Sequence, residues 1–526
     1  MDRPEIVIGL VGALGTNMDR VVEAIEKSLA EVDYDHTTIR LSHLLRDVPA
    51  LQGMPLKDTP YEAQLDSYMN AGNAWRNHLN RGDAMALLGM ARIREHRSEL
   101  NKQTEEGLPI PEEQGAIIPV KKHAFLLRSL KHPDEVETLR EVYGSAFFLL
   151  SVYEQRSKRI RVLTQQIMQS HNSSRREPYE HRAVELINRD EAEVGEDLGQ
   201  QVSKTFWRGD AFIDVGNLLK LDESVNRIIQ IWFGHPFHTP TNDEYLMFCA
   251  QATAYRSASL GRQVGAVIAT REGSIVATGT NEVPKAGGGV YGTEDVNDAR
   301  DHIRGQDSSD IMRRELLGDI IQRLQENHWL AEDRSERSLE DMVSKLLDGQ
   351  SAIMKEATFN NLIEYQRPVH AEMTALTDAA RRGVPVADCT LYASTFPCHG
   401  CARHIVAAGI RRVVFIEPYV KSLARDFHED SICIEDCSEN TGMVRFEPFV
   451  GLAPRRYMDL FALNKFKKRK ETGGKASTWK PHEATPLLGG ELSYRGVHLE
   501  SIRLDQLHRI ILDIARRTQD KKEEGA

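Results

Sequence analysis

Two short motifs constrain this chain more than any other feature. "PVHAEMTAL" carries His370 and Glu372, and "TFPCHGCARHI" carries Cys398 and Cys401, with 27 residues between His370 and Cys398. Each motif opens a stretch with helical spacing. One histidine and two thiolates make a complete three-ligand set for a tetrahedral zinc that keeps its fourth position for water. Pro397 before the first cysteine favours a turn, and two cysteines three apart at a helix start point to one side. The positive ends of both helix dipoles favour thiolate and hydroxide there. Zinc is the expected cofactor, and Glu372 is left as a proton shuttle, not a ligand. The chain must therefore bring two helix N-termini together.

The surrounding pattern does this with a sheet. "NDEYLMFCAQATAYRSAS" has helical apolar spacing, and "QVGAVIAT" and "IVATGTN" are strands around a turn containing Gly273, a hairpin signal. A helix at "HAEMTALTDAARRG", a strand at "CTLYAST", a helix at "HGCARHIVAAG" and a strand at "RRVVFIEP" follow. The order β-β-α-β-α-β is a three-layer α/β/α unit, placed at 242–462. A charged, helix-prone insertion at about 285–365 interrupts it, starting with the mobile-loop composition "PKAGGGVYG".

The first 235 residues alternate strand-like runs ("EIVIGLVG", "TTIRLS", "KHAFLLRS", "GSAFFLLSVY", "DAFIDVG") with helical ones. That order predicts a parallel sheet with right-handed crossovers. The stretch 98–121 reads as a surface excursion and 172–205 as a lid-like insertion. After the first strand comes "GLVGALGTN", Gly9 to Asn17, where a phosphate-binding loop would sit. A phosphoryl-transfer loop reads G-x-x-x-x-G-K-[S/T]. Aligned on Gly15, its first glycine is Leu10 here, its lysine is Thr16 and its hydroxyl is Asn17. Gly9, Gly12, Gly15, Thr16 and Asn17 are candidates for holding an anion, without the charges that transfer phosphate. A lysine from elsewhere would have to substitute.

Residues 463–526 read as a basic linker, with the run Lys465 to Lys470, and an amphipathic helix, "HLESIRLDQLHRIILDIARR", that docks on a core or a subunit interface. A chain of 526 residues suits more than one core. A net charge of -11 gives no footprint for nonspecific binding of long nucleic acids. No apolar run reaches the ~20 residues that span a bilayer, and a cytoplasmic location is expected. Six cysteines make no disulfide framework. Cys433 and Cys437 are a close pair without further ligands around them, and His399 and His404 read as exposed or supporting residues.

H-x-E followed by P-C-x-x-C is the signature of zinc nucleobase deaminases, in which the metal activates water and the glutamate carries protons to the ring nitrogen and the departing amine. The stretch 242–462 resembles the cytidine and deoxycytidylate deaminase superfamily, specifically its deoxycytidylate branch, through "YRSASLGRQVGAVIAT", "ATGTNEVP", "PVHAEMTAL", "TFPCHGCARHI", "IEPYVKSLARD" and "FVGLAPRRYMDLF". That resemblance implies that Asn281 faces sugar and pyrimidine, and that Arg256, Arg262 and Lys421 are candidates for the phosphates.

The first domain resembles P-loop nucleoside and nucleotide kinase-like folds, through its glycine loop, "RSLKHPDEVETLREVYG" and "DAFIDVGNLLKLDESVNRII". The pairing resembles bacterial anti-phage dCTP deaminases. This implies conversion of dCTP to dUTP and of dCMP to dUMP, depletion of the dCTP pool during infection, a regulatory front domain answering to a nucleotide or RNA, and a homo-oligomer. The alternatives are a polynucleotide deaminase acting on tRNA or single-stranded DNA, a nucleotide kinase, and a non-catalytic nucleotide-sensing regulator.

Overall fold

The seven residues Ile6–Gly12 are all buried and form strand β1. Strands of a parallel sheet covered on both faces read as continuous apolar runs, and this one does. The computed structural model describes residues 3–102, 109–193, 196, 198–331, 337–349, 352–354, 357–419, 422–434, 437, 442–463, 469–471, 473–487 and 492–524. The chain divides into two units, one of residues 1–244 with 450–526 and one of residues 245–449. Both are mixed α/β with a six-stranded sheet.

With strands numbered along the chain, the first unit contains β1, β2 (Asp35–Arg40), β3 (His123–Arg128), β4 (Phe147–Tyr153), β5 (Ala211–Asp214) and β12 (Gly451–Leu452). The sheet order is β12-β5-β4-β1-β3-β2, parallel throughout except that β12 runs antiparallel to β5. Helices Met18–Glu31 and Leu218–Trp232 pack on one face, where Val21, Ile25 and Ile228 meet Ile6, Ile8 and Leu10. Helices Tyr61–Leu79, Ala84–Leu100 and Pro133–Tyr143 pack on the other, with Val7, Val11 and Phe125.

Residues 450–526 group with this first unit, so 450–462 falls outside the second unit and not within the expected 242–462, and the C-terminal amphipathic helix packs on a core of the first unit. The reason is long-range pairing. Glu244, fully buried, accepts from Arg227 and from the Leu452 amide at 2.8 Å. Helix Leu492–Glu524 lays Leu499, Leu504, Leu507 and Ile510 over the second core face. Its Glu500 and Glu5 clamp the fully buried Arg97, each at 2.8 Å. Most of the basic run, Lys465 to Lys468, lies outside the described residues; Arg469 donates to the Pro236 carbonyl. Among the described residues no helix is long and apolar enough to cross a membrane.

The second unit holds β6 (Gly265–Ala269), β7 (Ile275–Thr280), β8 (Thr390–Thr395), β9 (Arg412–Glu417), β10 (Ile432–Cys433) and β11 (Val444–Pro448) in the order β10-β11-β9-β8-β6-β7. β6 and β7 form the expected hairpin, with Gly273 at φ +91° in its turn. The parallel part runs from β8 through β9 and β11 to β10. Helix Ala371–Arg382 lies flush on this sheet because Gly279 has no side chain: a Cβ there would overlap the backbone of Ala371 and Ala375. The insertion folds as helices Ser308–Glu326 and Leu339–Leu347 around Leu317, Ile321 and Val343. Cys433 and Cys437 form a disulfide, which supersedes any reading of the pair as metal ligands.

Candidate active site

His370 is the residue before helix Ala371–Arg382, and Cys398 caps helix His399–Ala407. Both helices follow the sheet pattern set by the sequence, so the two motifs meet at one end of the sheet. His370 Nδ1 lies 3.3 Å from Cys398 Sγ and 3.4 Å from Cys401 Sγ. The three donor atoms fall within 4.8 Å of one another. Two sulfurs and one imidazole nitrogen at such spacing suit zinc, with thiolates and a neutral imidazole as its ligands. The pair of cysteines is already polarised: the Cys401 thiol donating to Cys398, with His370 beside it, pulls Cys398 down to about 4. The contact with Cys398 raises His370 against the effect of burial.

Glu372, in the first turn of its helix, is 4% exposed. Burial pushes its carboxyl above the usual carboxylate range. A carboxyl whose hold on its proton is strengthened by burial suits a group that must take and give up protons. It faces a cavity of about 200 Å³ lined by His370, Glu372 and Cys398, by Asn281, Arg262 and Tyr419, and by Val264, Ile363 and Phe396 among others.

The proposed substrate residues separate here. Asn281 lines the cavity and braces its rim: its Oδ1 accepts the Val264 amide at 2.7 Å and its Nδ2 donates to the Arg262 carbonyl at 2.6 Å. Arg262 also lines it, paired with Glu417 at 3.1 Å and lying over the Tyr419 ring. Arg256 is exposed and is not part of the lining. Lys421 lies outside the described residues. His399 packs edge-on against Phe427, and His404 is exposed.

Sequence reasoning missed Gln366, Asp307, Ile363 and Tyr419, all in the lining. Gln366 is four positions before His370, a proximity that a reading confined to the motif passes over. Asp307 and Ile363 come from the insertion and carry no local signal.

Residues 240–417 match the cytidine and deoxycytidylate deaminase zinc-binding region. The deaminase-type region is also similar to curated deoxycytidylate deaminases. That of Enterobacteria phage T2 is 39% identical over 54 residues, which are 10% of this chain and 29% of the phage protein. That of Homo sapiens is 26% identical over 102 residues, 19% of this chain and 52% of the human protein. The chain thus spans 29% to 52% of these relatives' length. A solved dCMP deaminase from the cyanophage S-TIM5, in complex with dCMP and dUMP, is 17% identical and covers 40% of this chain and all of that one, at a TM-score of 0.22.

The Gly9–Asn17 loop belongs to the first unit and is built differently. Gly15 has φ +87°, and a Cβ there would sit 2.9 Å from the Arg159 carbonyl. Gly9 and Gly12 leave space that Phe147 and Met18 occupy: a Cβ at either position would overlap those side chains, at 2.8 and 2.7 Å. The Leu14 amide donates to Asp190 at 2.7 Å and the Asn17 amide to Glu154 at 2.9 Å. Thr16 Oγ1 is buried with no hydrogen-bond partner among the described residues, and the Asn17 side chain caps helix Met18–Glu31. Lys131 lies beside this loop and binds Asp190 at 2.7 Å and the Gly12 carbonyl at 3.2 Å.

Proposed function

We propose that this protein is a zinc-dependent hydrolase that deaminates free deoxycytidine nucleotides, dCTP to dUTP and dCMP to dUMP, with release of ammonia. The observation that carries this reading is the buried Glu372 carboxyl beside the His370, Cys398 and Cys401 donor set, inside a region that matches the deaminase family. Zinc, when bound by those three residues, supplies Lewis-acid activation of water.

The chain's own residues do the rest. Val264, Ile363 and Phe396 exclude bulk water from the base. Asn281 fixes the rim against which sugar and pyrimidine lie. Glu372 takes one proton from water and delivers it to the ring nitrogen as oxygen bonds to the amine-bearing carbon, then carries the second proton from that oxygen to the amine as the carbon–nitrogen bond breaks. Water is consumed, ammonia leaves, and the amino-pyrimidine becomes a keto-pyrimidine.

The two substrates are not equal in this cleft. Among the described lining residues Arg262 is the one cation, already paired with Glu417, and Asp307 adds a carboxylate. That balance favours the monophosphate over the triphosphate. Within the cell the reaction would deplete the deoxycytidine nucleotide pool in antiviral defence, in the cytoplasm, with the first unit as a regulatory domain and the enzyme as a homo-oligomer. Ammonia release from dCTP, dCMP, CTP and a cytosine oligonucleotide by the zinc-loaded protein tests the reading. Turnover of the two deoxynucleotides is the expected result; release from the oligonucleotide alone would replace it with polynucleotide deamination.

A further inference from the structure

The His370 ring has a second nitrogen, and it is not idle. His370 Nε2 lies 2.6 Å from Gln366 Oε1. With Nε2 carrying the hydrogen and donating it to the amide oxygen, Nδ1 is left with its lone pair directed at the two cysteine sulfurs, 3.3 and 3.4 Å away. A hydrogen bond at one ring nitrogen selects which tautomer presents the other to a metal. Gln366 is itself held in register by its neighbours. Ser308 Oγ donates to the Tyr365 carbonyl at 3.0 Å. Arg367 donates to the Ala299 carbonyl at 3.1 and 3.2 Å and pairs with the buried Asp301. The Val369 amide donates to the Glu282 carbonyl at 3.0 Å, and Glu282 is 1% exposed.

We infer that Gln366 is a positioning residue that sets the tautomer and orientation of His370 for metal binding, and that the insertion, through Ser308, Ala299 and Asp301, holds it in place. A neutral amide suits this role. The site gathers two cysteine sulfurs and a buried carboxyl, and an amide acceptor orients the ring without adding a further negative charge. Gln366 also lines the cavity, so the residue that orients the ligand forms part of the wall that the nucleotide meets.

The inference rests on the reading of His370, Cys398 and Cys401 as zinc ligands, and its test does not use deamination. Zinc affinity of the full-length protein is measured by competition with a chromophoric chelator, beside long-range ¹H–¹⁵N spectra of the histidine rings in the zinc-loaded form. Gln366→Leu removes the acceptor at an exposed position. It should weaken zinc binding about 10- to 100-fold, the usual effect of deleting such an outer partner, and shift or broaden the His370 Nε2–H signal. Gln366→Glu, which keeps an acceptor, should retain or tighten binding. Zinc affinity in Gln366→Leu equal to that of the unaltered protein, with an unchanged Nε2–H signal, would overturn the inference while leaving the zinc site intact. Failure of the unaltered protein to bind zinc would overturn both, and that separates the two outcomes.

Discussion

Two strand-to-helix turns in this molecule begin from similar sequence promise and end as opposites. After β1, the Gly9–Asn17 loop has the glycines of a phosphate cradle, but its amides at Leu14 and Asn17 already hold Asp190 and Glu154. After β8, the turn at Pro397 and Cys398 ends in donors with coordinating capacity, met by His370 from a neighbouring helix. One turn has its anions supplied by the chain. The other gathers soft ligands and a buried acid around a cavity. Glycine spacing makes a tight turn possible; whether that turn binds anything depends on which side chains the rest of the fold brings to it.

Substitutions at the two turns should therefore have unlike consequences. The largest effect is expected at the ligands: His370→Ala or Cys398→Ser should remove zinc and all ammonia release, readable by metal analysis and by a coupled ammonia assay. Asp190→Ala comes next. It strips the Leu14 amide and Lys131 of a fully buried partner, and loss of one member of a buried pair costs about 3–5 kcal/mol. Denaturant unfolding followed in the first unit should show this loss with zinc content unaltered; gain of nucleotide binding without loss of stability would break the contrast between the turns.

Gly279→Ala should cost about 1–3 kcal/mol by overpacking against Ala371 and Ala375, and should lower zinc occupancy by shifting the helix that carries Glu372. The smallest effect on the site itself is expected from deleting residues 1–235. That deletion leaves β12 without β5, and Glu500 without Arg97. Limited proteolysis should then cut rapidly within 450–526. A protease-resistant tail in the truncated protein would contradict the assignment of that segment to the first unit.

The residues legible in the sequence are those whose meaning is local. His370, Glu372, Cys398 and Cys401 sit on short motifs, and the hairpin is marked by Gly273. What stayed hidden depends on distant partners. The amide of Leu14 and the carboxylate of Asp190 are 176 positions apart, and Arg97 and Glu500 are 403 apart. Helix Tyr61–Leu79 buries Asn73, Arg76 and Gly72 beside Trp75 and Met69, so it shows no clean apolar stripe. Arg256 belongs to a family-like stretch, yet its side chain is exposed and away from the cavity lining, because a motif fixes the backbone path more firmly than the direction of each side chain.

In the proposed hydrolysis Glu372 moves the proton while His370, Cys398 and Cys401 hold the metal. The most direct measurement is zinc content together with ammonia release from dCMP and dCTP, for the unaltered protein and for Glu372→Ala. Loss of a general acid and base of this kind lowers turnover by about 10²- to 10⁴-fold, and zinc should remain bound. Undiminished ammonia release by a zinc-loaded Glu372→Ala protein would contradict the account.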